Sequence, residues 1–247
     1  MRVAGHILAV LVLTLLTQLG GLAWLAALPF RRRWLAFPLA YAAIWLAAQH
    51  LAPLAGREPL PCTGSDLRAQ SVFYCLAMRN FATPETAAAA KAAAASVARE
   101  YPGTVTLYLD AGFPFLDGMP LAPHLSHDDG RKIDFAFYYA AEGRYLPGVT
   151  RSPVGYFAFE TLDSAQCPAV WPTLRWDLRP LQPMWRDLGL EPERTRALIG
   201  ALAADPVIGK IFVEPPLATS LGVAGPKIRF QGCRAARHDD HIHAQLR

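Results

Sequence analysis

The sequence predicts an α+β domain, an antiparallel sheet with flanking helices, preceded by a two-helix transmembrane hairpin. Three observations carry that expectation. All 20 acidic residues of the 247-residue chain lie from Glu58 onward, whereas residues 1–57 form two long uncharged runs broken by an arginine turn. Downstream, helical and strand patterns follow one another and end on a strand, an order that suits helices packed on an antiparallel sheet. All four cysteines fall in that downstream part, and an even number there is what a disulfide-bonded exported domain carries. The chain divides accordingly into a hairpin, residues 1–57, and a domain, residues 58–247.

The hairpin comes first. Its only charged side chains are Arg2, Arg31, Arg32, Arg33 and Arg57. Setting those five aside leaves 19 basic against 20 acidic residues, so the net charge of +4 belongs to the first segment. A nucleic-acid partner is therefore not indicated, since that requires a basic face on the folded domain. Residues 7–30 and 34–55 lack charge, and each exceeds the roughly 20 residues that cross a bilayer as a helix. Trp24, Trp34, Tyr41 and Trp45 suit the headgroup belts. A cleaved signal peptide fits less well, because Arg2 alone makes a weak n-region and the apolar run is too long. The Arg31–Arg33 turn stays cytoplasmic by the positive-inside rule. The domain then lies outside the cytoplasmic (inner) membrane, in the periplasm or the extracellular space. Of the cysteines, Cys62 and Cys75 close a short loop and are expected to pair, leaving Cys167 with Cys233. Zinc binding by cysteine is disfavoured, because no CxxC spacing occurs.

Within the domain, residues 62–79 are ambiguous, with a helical tendency over 71–78. Thr83 as N-cap with Pro84 at the first helical position starts a helix through the alanine-rich run to Glu100. Residues 104–110 (TVTLYLD), 132–139 (KIDFAFYY) and 155–160 (GYFAFE) read as strands. Residues 163–190 carry Trp171, Trp176 and Trp185 among prolines and read as irregular, a packed loop in preference to a substrate-binding lid. Residues 191–204 are helical, 207–213 a strand, 216–221 a short helix, 227–230 a strand, and 241–246 the last strand.

Five of the seven histidines fall in two clusters, His124 and His127 before one strand, and His238, His241 and His243 at the other end of the domain. Strand alternation gives the clusters a common direction. His241 and His243 share one face of the last strand while Ile242, Ala244 and Leu246 form the other. Asp134 sits on the polar face of a strand whose Ile133, Phe135 and Phe137 face the core. Placed side by side, the two strands would turn Asp134, His241 and His243 into one cleft, with His127 reaching in from its loop. A catalytic zinc takes three N or O ligands and keeps a fourth position open. His127, Asp134 and His243 supply such a set and leave His241 as the base. The ion would acidify water and polarise a carbonyl oxygen, and a neighbouring imidazole suits proton shuttling near neutral pH.

The pattern His127-x-x-Gly130-x-x-x-Asp134, followed by His241-x-His243, resembles the zinc peptidases that group lysostaphin, the D-alanyl-D-alanine peptidases and the hedgehog signalling domain. His124-x-x-His127 and His238-Asp239-Asp240-His241-Ile242-His243 are most similar to the penicillin-insensitive murein endopeptidases, a likeness covering residues 104–247. The resemblance implies a zinc-dependent peptidase acting on peptidoglycan cross-link peptides with D-amino-acid-containing bonds. It carries zinc ligation onto His127, Asp134 and His243, and the catalytic base onto His241. His124 and His238 become supporting or substrate-contacting histidines, and Gly130 the glycine that permits a tight approach between ligand loop and strand. Arg131 and Lys132 depart from the small or acidic residues usual there. Lys227, Arg229, Arg234 and Arg237 stand either as contacts for a substrate carboxylate or as a solvated edge strand. A module that binds zinc and a wall peptide or protein partner without hydrolysis is the alternative, as is carboxypeptidase rather than endopeptidase action.

Overall fold

The computed structural model describes residues 2–160, 167–168 and 170–247. Its first three helices are α1 (Arg2–Thr17), α2 (Gly20–Ala27) and α3 (Arg33–Leu51). The expected first span, residues 7–30, is therefore not one helix. At Gln18 the backbone turns left-handed, φ 64°, and α2 folds back along α1. Glycines make the reversal close: a Cβ on Gly21 would run into the Thr14 side chain and the Val10 carbonyl. The stretch expected as the second span is one helix. Arg33–Ala55, which adds a short 3-10 turn to α3, is the described helix long and apolar enough to cross a membrane, with a mean hydropathy of 1.4. α1 is apolar but shorter.

The domain follows as β1 (Glu58–Pro59), β2 (Leu67–Ala69), α4 (Val72–Leu76), β3 (Phe81–Ala82), α5 (Pro84–Glu100), β4 (Thr106–Tyr108), β5 (Lys132–Ala136), β6 (Tyr139–Ala141), β7 (Arg144–Tyr145), β8 (Gly189–Leu190), α6 (Pro192–Ala204), β9 (Ile208–Phe212), α7 (Pro215–Leu221), β10 (Ile228–Arg229) and β11 (His241–Leu246). Thr83 caps α5 as expected, accepting from the Thr86 amide at 3.3 Å. Glu191 caps α6 in the same way, accepting from the Arg194 amide at 2.7 Å.

Among the described residues six strands form the main sheet, in the order β10-β9-β11-β5-β4-β2. Its centre, from β9 to β4, is antiparallel as expected. Its two edges are not: β10 runs parallel to β9, and β2 parallel to β4. The class is α+β, with a mixed rather than purely antiparallel sheet. Ile133 and Phe135 on β5 and Ile242 and Ala244 on β11 are buried with Ala90 and Ala94 of α5 and Leu198 and Leu202 of α6. Small alanine side chains let α5 lie close on the strands, where each buried methylene contributes about 0.8 kcal/mol. The helices thus cover one face of the sheet and leave the other for polar residues.

Two further expectations change. Residues 155–160 are not a strand. Phe157 is left-handed, φ 68°, and its amide donates to the Asp240 carboxylate at 2.6 Å, while the Glu160 amide donates to the Asp239 carbonyl at 2.8 Å. The segment is held by the approach to β11 instead of by a ladder. The tryptophan-rich stretch is not a packed loop. Trp171 is 87% and Trp176 57% exposed, although Trp185 donates its indole N–H to the Phe157 carbonyl. The part of that stretch at 163–166 and 169 lies outside the described residues. Both disulfides form as expected, Cys62 with Cys75 and Cys167 with Cys233.

Candidate metal centre

Register brings the ligands together. On the face opposite α5 and α6, His243 of β11 stands directly across from Asp134 of β5. Their side chains meet, His243 Nδ1 to Asp134 Oδ1, at 2.8 Å. His127 arrives from the loop before β5. Its Nδ1 donates to the Ala111 carbonyl at 3.0 Å, which fixes the ring and leaves Nε2 as a lone pair. That atom lies 3.1 Å from His243 Nδ1 and 3.2 Å from Asp134 Oδ1. All three residues are buried, and as a group they could hold a metal ion. Tetrahedral zinc with bonds of about 2.0–2.1 Å holds its ligands about 3.3 Å apart. Two imidazole nitrogens and a carboxylate oxygen converging at this spacing fit such an ion with little movement.

The electrostatics suit a cation. Burial works against ionising Asp134, but the imidazoles of His127, His241 and His243 hold its carboxyl well below the usual range. Burial also works against charging His127, yet the Asp134 carboxylate raises it on balance. For His243 burial wins, helped by the neighbouring His127 and His241, and its imidazole is pushed down to about 4. The centre therefore offers an anionic oxygen and a neutral ring nitrogen without a competing proton on His243.

His241 lies two positions before His243 on the same face. Its Nδ1 pairs with Asp240 Oδ1 at 2.6 Å. Its Nε2 is buried with no hydrogen-bond partner among the described residues, and points to Asp134 Oδ2 at 3.7 Å. Burial lowers this imidazole, but Asp240 and Asp134 outweigh it and push it up to about 9. Its protonated form is thus favoured, beside the group formed by His127, Asp134 and His243.

His124 lies at the border of the centre. Its Nδ1 meets Asp110 Oδ2 at 2.8 Å and its ring lies 5.5 Å from that of His241. With Asp134 and His241 it forms a second, overlapping group that could hold a metal ion. His238 stacks on Phe212 at 5.4 Å, its Nδ1 has no partner among the described residues, and burial, then His241 and His243, push it well below the ordinary imidazole value.

Sequence reasoning missed three residues. Tyr156, read as part of a strand, donates its hydroxyl to Asp134 Oδ2 at 2.7 Å and accepts from the Asp110 amide at 3.1 Å. Asp110, at the end of the TVTLYLD run, takes a bidentate pair from Arg79, at 2.6 and 2.8 Å. Arg79 itself stood in the ambiguous stretch before α5. A carboxylate ending a strand next to an apolar run was the available signal for Asp110; Tyr156 and Arg79 had none. Of the basic residues leading into β11, Arg237 is not open to a substrate carboxylate: it is buried against Asp239 at 2.6 Å and lies over the Phe159 ring at 4.1 Å. Lys227 donates to the Asp205 carbonyl, and Arg229 and Arg234 are exposed. At Gly130 the close neighbour is the Arg57 side chain, not the expected strand. The glycine is left-handed, φ 67°, and a Cβ there would sit 2.6 Å from Arg57 Nε.

A scan of protein-family models finds no match to this chain, and a comparison with curated proteins finds none either.

Proposed function

We propose that this chain is a membrane-anchored, zinc-dependent peptidase that hydrolyses peptidoglycan cross-link peptides. The observation that carries the reading is the convergence of His127 Nε2, Asp134 Oδ1 and His243 Nδ1 beside the unpartnered Nε2 of His241. Mixed nitrogen and oxygen donors at tetrahedral spacing suit zinc, whereas calcium and magnesium take oxygen ligands. When bound, zinc supplies Lewis acidity toward a carbonyl oxygen and toward water.

The chain's own groups do the rest. His127 is oriented by its bond to Ala111, and Asp134 by the Tyr156 hydroxyl, the kind of outer support that keeps ligands in place. His241 exchanges a proton at Nε2 with the reacting groups, while Asp240 fixes Nδ1 and steadies the imidazolium. The substrate class rests on the resemblance of the His127–Asp134 and His238–His243 patterns to murein endopeptidases. The anchor rests on α3, of whose apolar window only 11% is buried, unlike a core helix. Two disulfides suit an oxidising space, which supports a domain on the outer side of the cytoplasmic membrane.

The test uses the full chain in detergent. It binds zinc stoichiometrically and converts purified cross-linked muropeptides to monomers, and a chelator stops the conversion. His243→Ala loses the zinc. His241→Ala keeps the zinc and loses turnover; retained turnover there refutes the assigned role. Zinc bound with muropeptides unchanged would instead make the chain a binding module.

A further inference from the structure

α4 presents an apolar face that the domain does not use. Its residues Tyr74 and Cys75 are buried, but Val72 is 68%, Phe73 50% and Leu76 51% exposed. No charged side chain occurs between Arg68 and Arg79. The loop beyond β4 carries a matching feature, Leu116, 61% exposed. Isolated exposed apolar residues need no explanation, whereas a contiguous apolar set marks a contact surface.

Both features are fastened to the N-terminal helices. The Tyr41 hydroxyl of α3 donates to the Leu76 carbonyl, and the Trp45 indole to the Cys75 carbonyl. Gln18, at the α1–α2 turn, is 5% exposed. Its Oε1 accepts from the Phe115 amide at 2.9 Å, and its Nε2 donates to the Leu116 carbonyl at 3.3 Å. Leu19, Tyr41, Trp45 and Phe115 surround one buried cluster of Ala48, Ala52, Met78 and Phe81. Domain and helices are thus a single packed body at this level.

That level can be placed. α1 has 16 residues, about 24 Å at 1.5 Å each, against an apolar layer about 30 Å thick. An α1 of this length does not carry the Gln18 turn from the inner boundary to the outer one, and with the Arg31–Arg33 turn at the inner boundary Tyr41, eight residues on from Arg33, lies about 12 Å above it. The elements hydrogen-bonded to Gln18 and to Tyr41 share that depth. Their exposed side chains add to the exposed apolar side chains of the helices they are bonded to, among them Leu8, Leu15, Leu39 and Leu46.

We infer that Val72, Phe73, Leu76 and Leu116 are immersed in the apolar layer, so that the domain is seated in the lipid surface rather than tethered above it. The inference rests on the membrane reading of the N-terminal helices. Its occupant is lipid acyl chain; a protein partner is the competing outcome. The experiment places the full chain in phosphatidylcholine vesicles with and without bromine on the acyl chains and records tryptophan emission. The emission added by Phe73→Trp, and independently by Leu116→Trp, is expected to be lost to brominated chains as fully as that of the native tryptophans of α2 and α3. Added emission that survives while the native emission is lost overturns the seating and leaves the anchor standing, as a protein-covered face would. Native emission that survives overturns the membrane reading and the seating with it. Zinc content and intact disulfides, measured on each variant, certify the fold; should Phe73→Trp misfold, Leu116→Trp decides.

Discussion

Replacing Arg79 by Met tests the support beneath the candidate metal centre. Met keeps much of the apolar stem but removes the guanidinium that grips Asp110 with two bonds. Asp110 is fully buried, so the change leaves a carboxylate with its main cation gone. Breaking a buried pair in this way costs about 3–5 kcal/mol. The titration points the same way. Burial pushes the Asp110 carboxyl up, but Arg79, then His124, outweigh it and hold it at about 2, below the ordinary 3.8. Because the folded value is depressed, this stability is fully present above about pH 4 and is lost as pH falls through about 2. For a chain of this size, 3–5 kcal/mol lowers the melting temperature by about 6–20 °C. The assay is near-ultraviolet circular dichroism on heating at neutral pH, for Arg79→Met, Asp110→Asn and the double variant. Arg79→Met should melt far below the parent, and the double variant should recover much of the loss, because no buried charge is then stranded. A loss under about 1 kcal/mol for Arg79→Met, or costs that simply add in the double variant, would refute the reasoning.

Three other perturbations have definite outcomes. Tyr156→Phe removes the hydroxyl that orients Asp134 and should weaken the proposed zinc binding about 10–100-fold in competition with a chelating dye; unchanged affinity would deny Tyr156 that part. Gly130→Ala forces a side chain into a left-handed position against Arg57 and should cost about 1–3 kcal/mol in denaturant unfolding. Reducing Cys62–Cys75, whose partners are 13 positions apart, should remove about 3 kcal/mol of stability, read as a lower unfolding midpoint in the Cys62→Ser/Cys75→Ser variant.

The centre was more legible than the scaffold. Alternation on β11 and β5 is a local property, so the facing of His241, His243 and Asp134 could be read from two short strings, and the register pairs His243 with Asp134 directly. Helix caps at Thr83 and Glu191 are equally local. What escaped was set by contacts far apart in sequence. Residues 155–160 alternate like a strand, but Asp239 and Asp240 capture their amides across about eighty residues of chain. The parallel edges depend on where β2 and β10 dock, which no nearby residue encodes. An uncharged run long enough to span hid a reversal at Gln18, because nothing in hydropathy distinguishes one long helix from two antiparallel ones with glycine between them.

Arg57 and Gln18 have a practical consequence for dissecting the molecule. Arg57 is 6% exposed, pairs with Asp117 and lies against Gly130; Gln18 clasps the chain at Phe115 and Leu116. The loops they hold run into His124 and His127. A fragment cut at Glu58 would therefore not be the working half freed of a handle. It would lack the pieces against which the His127 loop is braced, and would expose Met78 and Phe81 where α3 now covers them. Failure of such a fragment to bind metal would report the missing brace, and says nothing against the three proposed ligands themselves.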